Sequence, residues 1–290
     1  MKRLSVVLAT RNEEENIGRC LESVKDIAGE IIVFDEESTD KTREIAKKFG
    51  AKVFIVSHEP IFHKTKQKAI DKALGEWVLQ LDADESVTPE LAKEIREVIN
   101  SPSTIHHPPS SKKARLFARH QRVIETRDGK LGKNTGEVVA FFIPRRNLFL
   151  GKPLIHAGVY PDAVIRLIKQ GKARLPAKSV HEQMIIDGEV AWLFNDLIHT
   201  DSPTLARYIA RLNRYTDLQA QELADEKVPK NLFYLALYTI HKPLFTFLKL
   251  YIRHKGFLDG MYGFVWSVFS AWHFPISYFK YWTGEYNNKK

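Results

Sequence analysis

Asp82-Ala83-Asp84 is the pattern with the most direct chemical meaning in this chain of 290 residues. In extended backbone the intervening residue puts both carboxylates on one side, about 7 Å apart by strand rise. Two hard oxygen ligands so placed can share Mg²⁺ or Mn²⁺, ions that keep several waters and bridge to diphosphate oxygens. The plain alternative is an acidic turn ahead of a helix, and the tripeptide alone does not separate the two. Its setting favours chemistry, because it follows the apolar run Trp77 to Leu81, and Asp35 follows Ile31 to Phe34 in the same way. Asp35 is suited to accept hydrogen bonds from a nucleobase imide or a ribose; its alternative is an acid at a helix N-terminus. No G-x-x-x-x-G-K-[ST] occurs, and no G-x-G-x-x-G follows the first apolar run. P-loop and dinucleotide chemistry thus lose their main signature, which leaves metal-assisted binding of a nucleoside diphosphate.

The elements that must position these residues follow from the apolar pattern. Leu4 to Ala9, Ile31 to Phe34, Val53 to Val56 and Trp77 to Leu81 read as four short strands. Between them, Asn16 to Val24, a segment running to Phe49 ahead of Gly50, and Lys64 to Leu74 ahead of Gly75 read as helices. Ser38 or Thr39 is expected to cap the second helix, and Thr88-Pro89-Glu90 to start a fourth with Thr as N-cap and Pro at N1. Strand–helix alternation predicts right-handed crossovers and a mostly parallel sheet with ligands outside the strand carboxyl ends. Thr10-Arg11-Asn12-Glu13, Asp35-Glu36-Glu37 and Asp82-Ala83-Asp84-Glu85 should therefore meet on one rim.

Charge is uneven along the chain. Residues 1–100 hold 16 Lys and Arg against 20 Asp and Glu, a net of −4, so the overall +9 leaves +13 for the rest. From Val228 to Lys290 there are eight Lys and Arg and two acids, and 20 of the 32 aromatic residues lie from Tyr208 onward, which predicts an anionic or amphiphilic neighbour for that segment. The acidic rim argues against nucleic acid as a partner. With Cys20 as its one cysteine the chain makes no intrachain disulfide and no cysteine-based zinc site, which fits a cytoplasmic setting. The first residues reach only a six-residue apolar stretch before charges appear, so a strand is expected there and not a signal peptide.

Three motifs in order resemble the family 2 glycosyltransferases of GT-A fold. They are Ser5-Val6-Val7-Leu8-Ala9-Thr10-Arg11-Asn12-Glu13, Ile32-Val33-Phe34-Asp35 with Ser38-Thr39-Asp40-Lys41-Thr42, and Gly75-Glu76-Trp77 through Asp82-Ala83-Asp84-Glu85. Pro144-Arg145-Arg146-Asn147, Tyr160-Pro161-Asp162 with Arg166-Leu167, and Val180-His181-Glu182 are similar to the lipopolysaccharide core glycosyltransferase subgroup. The resemblance implies an α/β fold, a Rossmann-like GT-A mixed but mostly parallel sheet flanked by helices, over residues 1–200. It assigns the nucleotide-sugar site to Ala9, Arg11, Glu13, Asp35, Lys66 and Asp82, and the metal, Mg²⁺ or Mn²⁺, to Asp84, Asp82 and His199. Lys66-Gln67 departs from the basic-Asn pair usual before the fourth strand, and 101–136 is a long basic insertion read as a loop.

Sugar transfer with inversion needs a base for the acceptor hydroxyl. Glu182 resembles the acidic position after the acceptor loop and is the first choice, with Asp162 second. His181, Arg145, Arg146 and Arg166 are candidates for acceptor or phosphate contacts, against the alternatives of a structural histidine and solvated surface arginines. Thr204 to Glu226 reads as an amphipathic helix, opening a helical region over 201–290. Leu232 to Ile252 follows, broken at His241-Lys242-Pro243, and Gly260 to Phe279 has no charged residue but is rich in Trp and Tyr, which favours an interfacial pair of helices over a span. The expectation is a metal-dependent enzyme moving a sugar from a nucleotide-diphosphate donor to a glycolipid at the inner face of the cytoplasmic membrane. The alternatives are a polyprenyl-phosphate glycosyltransferase, a nucleotidyltransferase and a nonenzymatic membrane-binding module.

Overall fold

The computed structural model describes residues 4–101, 112–176 and 183–286. They form two compact units, the first of residues 1–146 and 161–199, the second of 147–160 and 200–290.

In the first unit, β1 (Leu4–Thr10), β2 (Glu30–Asp35), β3 (Lys52–Ile55) and β4 (Trp77–Leu81) alternate with α1 (Ile17–Glu22), α2 (Thr42–Lys48) and α3 (Phe62–Asp71), as the apolar runs predict. β5 (Glu85–Val87) and α4 (Pro89–Asn100) follow, and the Thr88 hydroxyl caps α4 by accepting from Leu91 N. α5 (Lys112–Asp128) precedes β6 (Val138–Ile143). The chain then forms β7 (Arg145–Phe149), whose residues from 147 count with the second unit, β8 (Lys152–Pro153) of the second unit, β9 (Val164–Lys169), the β10 (Ala173–Arg174) and β11 (Ile185–Ile186) pair, β12 (Glu189–Trp192) and β13 (Leu197–Ser202), whose residues from 200 count with the second unit.

Seven strands make one sheet in the order β12-β6-β9-β4-β1-β2-β3. β9 alone runs against both of its neighbours, β4 and β6, and the other pairs are parallel. The expected mixed, mostly parallel GT-A sheet is therefore present. β2 lies on one side of β1 and β4 on the other, so the strand order reverses at β1, and crevices at such reversals are where open α/β sheets bind ligands. Beneath the rim, Leu4, Val6, Leu8, Ile17, Leu21, Trp77 and Leu79 are essentially without exposure, which is why these short strands read as continuous apolar runs.

Two local expectations give way to different structure. Ser38 and Thr39 do not cap α2; Lys41 occupies the N-cap position, and Asp40 accepts from Thr42 N at 3.0 Å, because Ser38 is drawn to Asp35. The basic stretch expected as a loop over 101–136 contains α5, a helix with Phe117 and Ile124 buried. Phe117 stacks on Trp192 with ring centroids 4.4 Å apart, and that burial orders a segment whose charge suggested a solvated loop.

The amino ends of strands β1 to β4, opposite the rim, are tied by one carboxylate. Glu30 accepts from Ser5 Oγ at 2.7 Å and Leu74 N at 2.8 Å and pairs with Lys52 at 2.8 Å, while Gly75 N donates to Ser5 Oγ. A side chain at Gly75 would meet Ser5 N at 2.8 Å, so this approach requires glycine.

In the second unit, α6 (Leu205–Asp225) is capped by Thr204, whose hydroxyl accepts from Arg207 N. α7 (Leu232–Ala236), a π turn (Leu237–His241), α8 (Lys242–Phe247) and a second π turn (Leu248–Arg253) then form one continuous rod. The break expected at His241-Lys242-Pro243 is absent: a π turn ends at His241 and the rod runs on through Pro243. A 3₁₀ turn (Gly256–Asp259) leads into α9 (Gly260–Thr283). Among the described residues no helix is long and apolar enough to cross a membrane.

Burial opposes ionisation of Glu30, yet Lys52, Ser5 and Leu74 N hold its carboxyl down to about 2. Its stabilising effect is therefore complete above the ordinary glutamate range and is lost as pH falls from about 4.5 towards 2. Glu30→Gln should lower stability at pH 7 by about 1–3 kcal/mol. It should also flatten the loss of stability between pH 5 and 3, read by urea denaturation across that range.

Candidate active site

The rim is built at the carboxyl ends of β1, β2 and β4. Asp35, with no exposure, accepts from Ser38 N at 3.0 Å, Ser38 Oγ at 2.5 Å and Thr10 Oγ1 at 3.2 Å, and lies 3.6 Å from Arg43 Nε. Asn12 takes a left-handed turn (φ 55°), which asparagine tolerates, donates from its N–H to Ser38 Oγ and accepts from Thr39 N. Glu13 N donates to Thr42 Oγ1, and Glu13 Oε2 accepts from Asn16. The structure thus locks the loops after β1 and β2 to each other through Asp35, Ser38 and Asn12. Ala9 is buried within β1, and Arg11 is exposed at the rim.

Asp82-Ala83-Asp84 is a turn, closed by Glu85 N donating to Asp82 O at 3.0 Å. The extended geometry that would set both carboxylates on one side is absent, and the two acids find different partners. Asp82 meets Lys66 Nζ at 2.5 Å through Oδ1 and Arg166 Nη2 at 2.5 Å through Oδ2. Burial opposes its charge, but Arg166 and Lys66 outweigh burial and hold the carboxyl far below the usual range. Burial likewise pushes the Lys66 ammonium down, with Asp82 acting against it.

Arg166 comes from β9, the antiparallel strand beside β4. Its guanidinium bridges Asp82 and Glu85, the latter at 2.7 Å, and it also donates to Gln80 Oε1. Glu85, without exposure, accepts from Asp82 N as well and meets Arg145 Nη1 at 3.3 Å. Arg145 reaches on to Asp162, whose carboxylate lies 2.7 Å away on a left-handed residue (φ 37°). A chain of alternating charge, Lys66–Asp82–Arg166–Glu85–Arg145–Asp162, therefore runs beneath the rim.

Asp84 points to His199 instead, with 3.5 Å between Oδ2 and Nε2. β13 pairs antiparallel with β5, placing His199 opposite Glu85 and hence beside Asp84. Both side chains keep some access, 14% for His199 and 21% for Asp84. Among the described residues no group of three or more His, Cys, Asp or Glu is arranged to hold a metal. One carboxylate and one imidazole still fit Mg²⁺ or Mn²⁺, which take few protein ligands and complete their shell with waters and phosphate oxygens. Asp82, held by two cations, is not free to complete such a site.

Beside the charged chain lies a cavity of about 450 Å³ lined by Lys66, Arg145, Asp162 and Arg166 and walled by His120 and Arg127 of α5. Burial pushes the His120 imidazole below its ordinary value. Arg146 stands apart, paired with Asp196. His181 and Glu182 lie outside the described residues. The site assignment made from sequence omitted Glu85, Gln80, His120 and Arg127. Glu85 had a signal in its place directly after Asp82-Ala83-Asp84, and His120, Ile124 and Arg127 recur at the spacing of one helix face.

A sheet of GT-A type with a charged rim at the strand reversal defines a glycosyltransferase architecture. The chain belongs to glycosyl transferase family 2, whose profile matches residues 5–157. It is 28% identical to an uncharacterized glycosyltransferase of Rickettsia typhi over 93% of this chain and 84% of that one. A lipopolysaccharide core biosynthesis glycosyltransferase of Rhizobium meliloti is 27% identical over 92% of this chain and 90% of its own. Among solved structures, S. aureus TarS 1–349 in complex with UDP-GlcNAc matches 97% of this chain and 92% of its own at 14% identity, with a TM-score of 0.44. Family membership makes the chain an enzyme of glycosyl transfer and sets aside the nucleotidyltransferase and nonenzymatic alternatives.

Removing one member of a buried ion pair leaves an uncompensated charge, which costs about 3–5 kcal/mol. Arg166→Met should show a loss of that size in urea denaturation, whereas Arg146→Met, which removes a 44% exposed guanidinium and leaves buried Asp196 with Lys113 Nζ at 3.6 Å, should lose less than about 1 kcal/mol.

Proposed function

We propose that this enzyme moves a sugar from a nucleotide-diphosphate donor to a glycolipid such as the lipopolysaccharide core, with inversion at the anomeric carbon. The observation that carries the reading is the accessible Asp84–His199 pair beside a fully compensated Asp82 at the sheet's reversal point. Asp84 and His199 would hold Mn²⁺ or Mg²⁺, which when bound supplies positive charge against the leaving diphosphate. Lys66 and Arg11 are the cations offered to the diphosphate and nucleotide, and Asp35 with its loop partners shapes the base and ribose site.

The acceptor hydroxyl attacks the anomeric carbon as the bond to the diphosphate oxygen breaks, and a base takes the hydroxyl proton. Glu182 is that base in our reading, on its resemblance to the family position; Asp162, anchored by Arg145 at the cavity, is the second choice. The likeness to a lipopolysaccharide core enzyme along nearly the whole of both chains supports the acceptor class. A glycolipid acceptor places the reaction at the inner face of the cytoplasmic membrane.

Turnover of UDP-, GDP- and ADP-sugars with core glycolipid should release a nucleoside diphosphate, and release of pyrophosphate would refute the reaction. Glu182→Gln should lower kcat by about 10²- to 10⁴-fold with donor Kd unchanged. Full activity in that variant together with an inactive Asp162→Asn would transfer the base to Asp162.

A further inference from the structure

The second unit carries a surface that sugar transfer does not use. The rod of α7, π turn, α8 and π turn spans Leu232 to Arg253. In a pure α-helix, residues four apart drift by about 40° per step, but π turns, closed by i→i+5 bonds, hold more residues and cancel part of that drift. Ile240, Leu244, Leu248 and Ile252 therefore stay in line, and they are exposed at 64%, 56%, 47% and 55%. Phe257, Leu258 and Met261 continue the exposed apolar surface into the next turns. The side toward α9 is packed instead: Tyr238 stacks on Tyr278 at 5.1 Å and Phe247 meets Phe264 edge-on at 6.0 Å. Contiguous apolar exposure of this kind marks an interaction site.

The charges around the row identify its occupant. Lys249, Arg253 and Lys255 are exposed, and residues 232–258 contain no Asp or Glu. The next acid, Asp259, is committed to His156, accepting from its N–H and lying 2.8 Å from its Nδ1. We propose that this face docks on a lipid bilayer bearing anionic headgroups. The apolar row enters the acyl boundary, and Lys249, Arg253 and Lys255 meet the headgroup phosphates. A second copy of the chain fits less well, since a twofold contact sets the same cations against each other with no carboxylate to answer them.

The test is sedimentation of the full chain with phosphatidylcholine vesicles, with and without phosphatidylglycerol, and needs no turnover. Wild type should bind the anionic vesicles, more weakly as salt rises. Leu244→Glu with Leu248→Glu should abolish binding, and Lys249→Ser with Arg253→Ser, exposed changes that leave the fold intact, should weaken it about fivefold per cation. Equal binding to both vesicle types, no binding, or unaltered binding by the serine variant would overturn the proposal. A dimer without vesicles that the glutamate variant dissociates would hand the face to a second copy.

Discussion

The Arg166 guanidinium, held between Asp82 and Glu85 at the end of β4, is the contact on which the rim depends. Three carboxylates and three cations approach one another there in surroundings where each alone would be costly to bury. The cost is met because each charge touches the opposite sign, from Lys66 at one end to Asp162 at the other. β9 makes this possible by running antiparallel beside β4, so that Arg166 stands next to Gln80 and the turn that follows.

That arrangement divides the labour between two acids one residue apart. Asp82 is spent on Lys66 and Arg166, and its low proton affinity reflects them. Asp84 is left for His199, with enough exposure for a ligand to reach both. The turn at Ala83 makes the difference: an extended backbone would turn both carboxylates the same way, whereas the observed turn sends one into the charged chain and the other to the β5–β13 pair. Cys20, whose thiol faces Asp82 O, is buried; burial and the nearby carboxylates push its thiol well up, so it takes no part as a thiolate.

Much of this was legible in the sequence because local signals and tertiary structure agree. β1, β2 and β4 are largely apolar runs buried on both faces, and Thr88-Pro89-Glu90 is a helix start that stands in the structure. What was not legible depended on partners distant in sequence. Arg166 and Glu85 meet across 81 residues, so nothing near either reports the pair. α5 was hidden by its charge, since its order comes from Phe117 on Trp192. Asp82 and Asp84 were identified as a pair, but their divergence comes from a turn that the D-x-D spacing does not encode.

In our reading Asp84 and His199 hold the cation of the donor site while Asp82 serves the buried charge chain. Calorimetric titration of UDP, GDP, ADP and CMP, with and without Mn²⁺, on wild type, Asp84→Ala and His199→Ala tests it most directly. Mn²⁺-dependent binding of one nucleoside diphosphate to wild type is expected, with the Mn²⁺ dependence lost in both variants and their folded stability kept. Mn²⁺-dependent binding that survives in both variants, or no nucleotide binding by wild type under any condition, would contradict it.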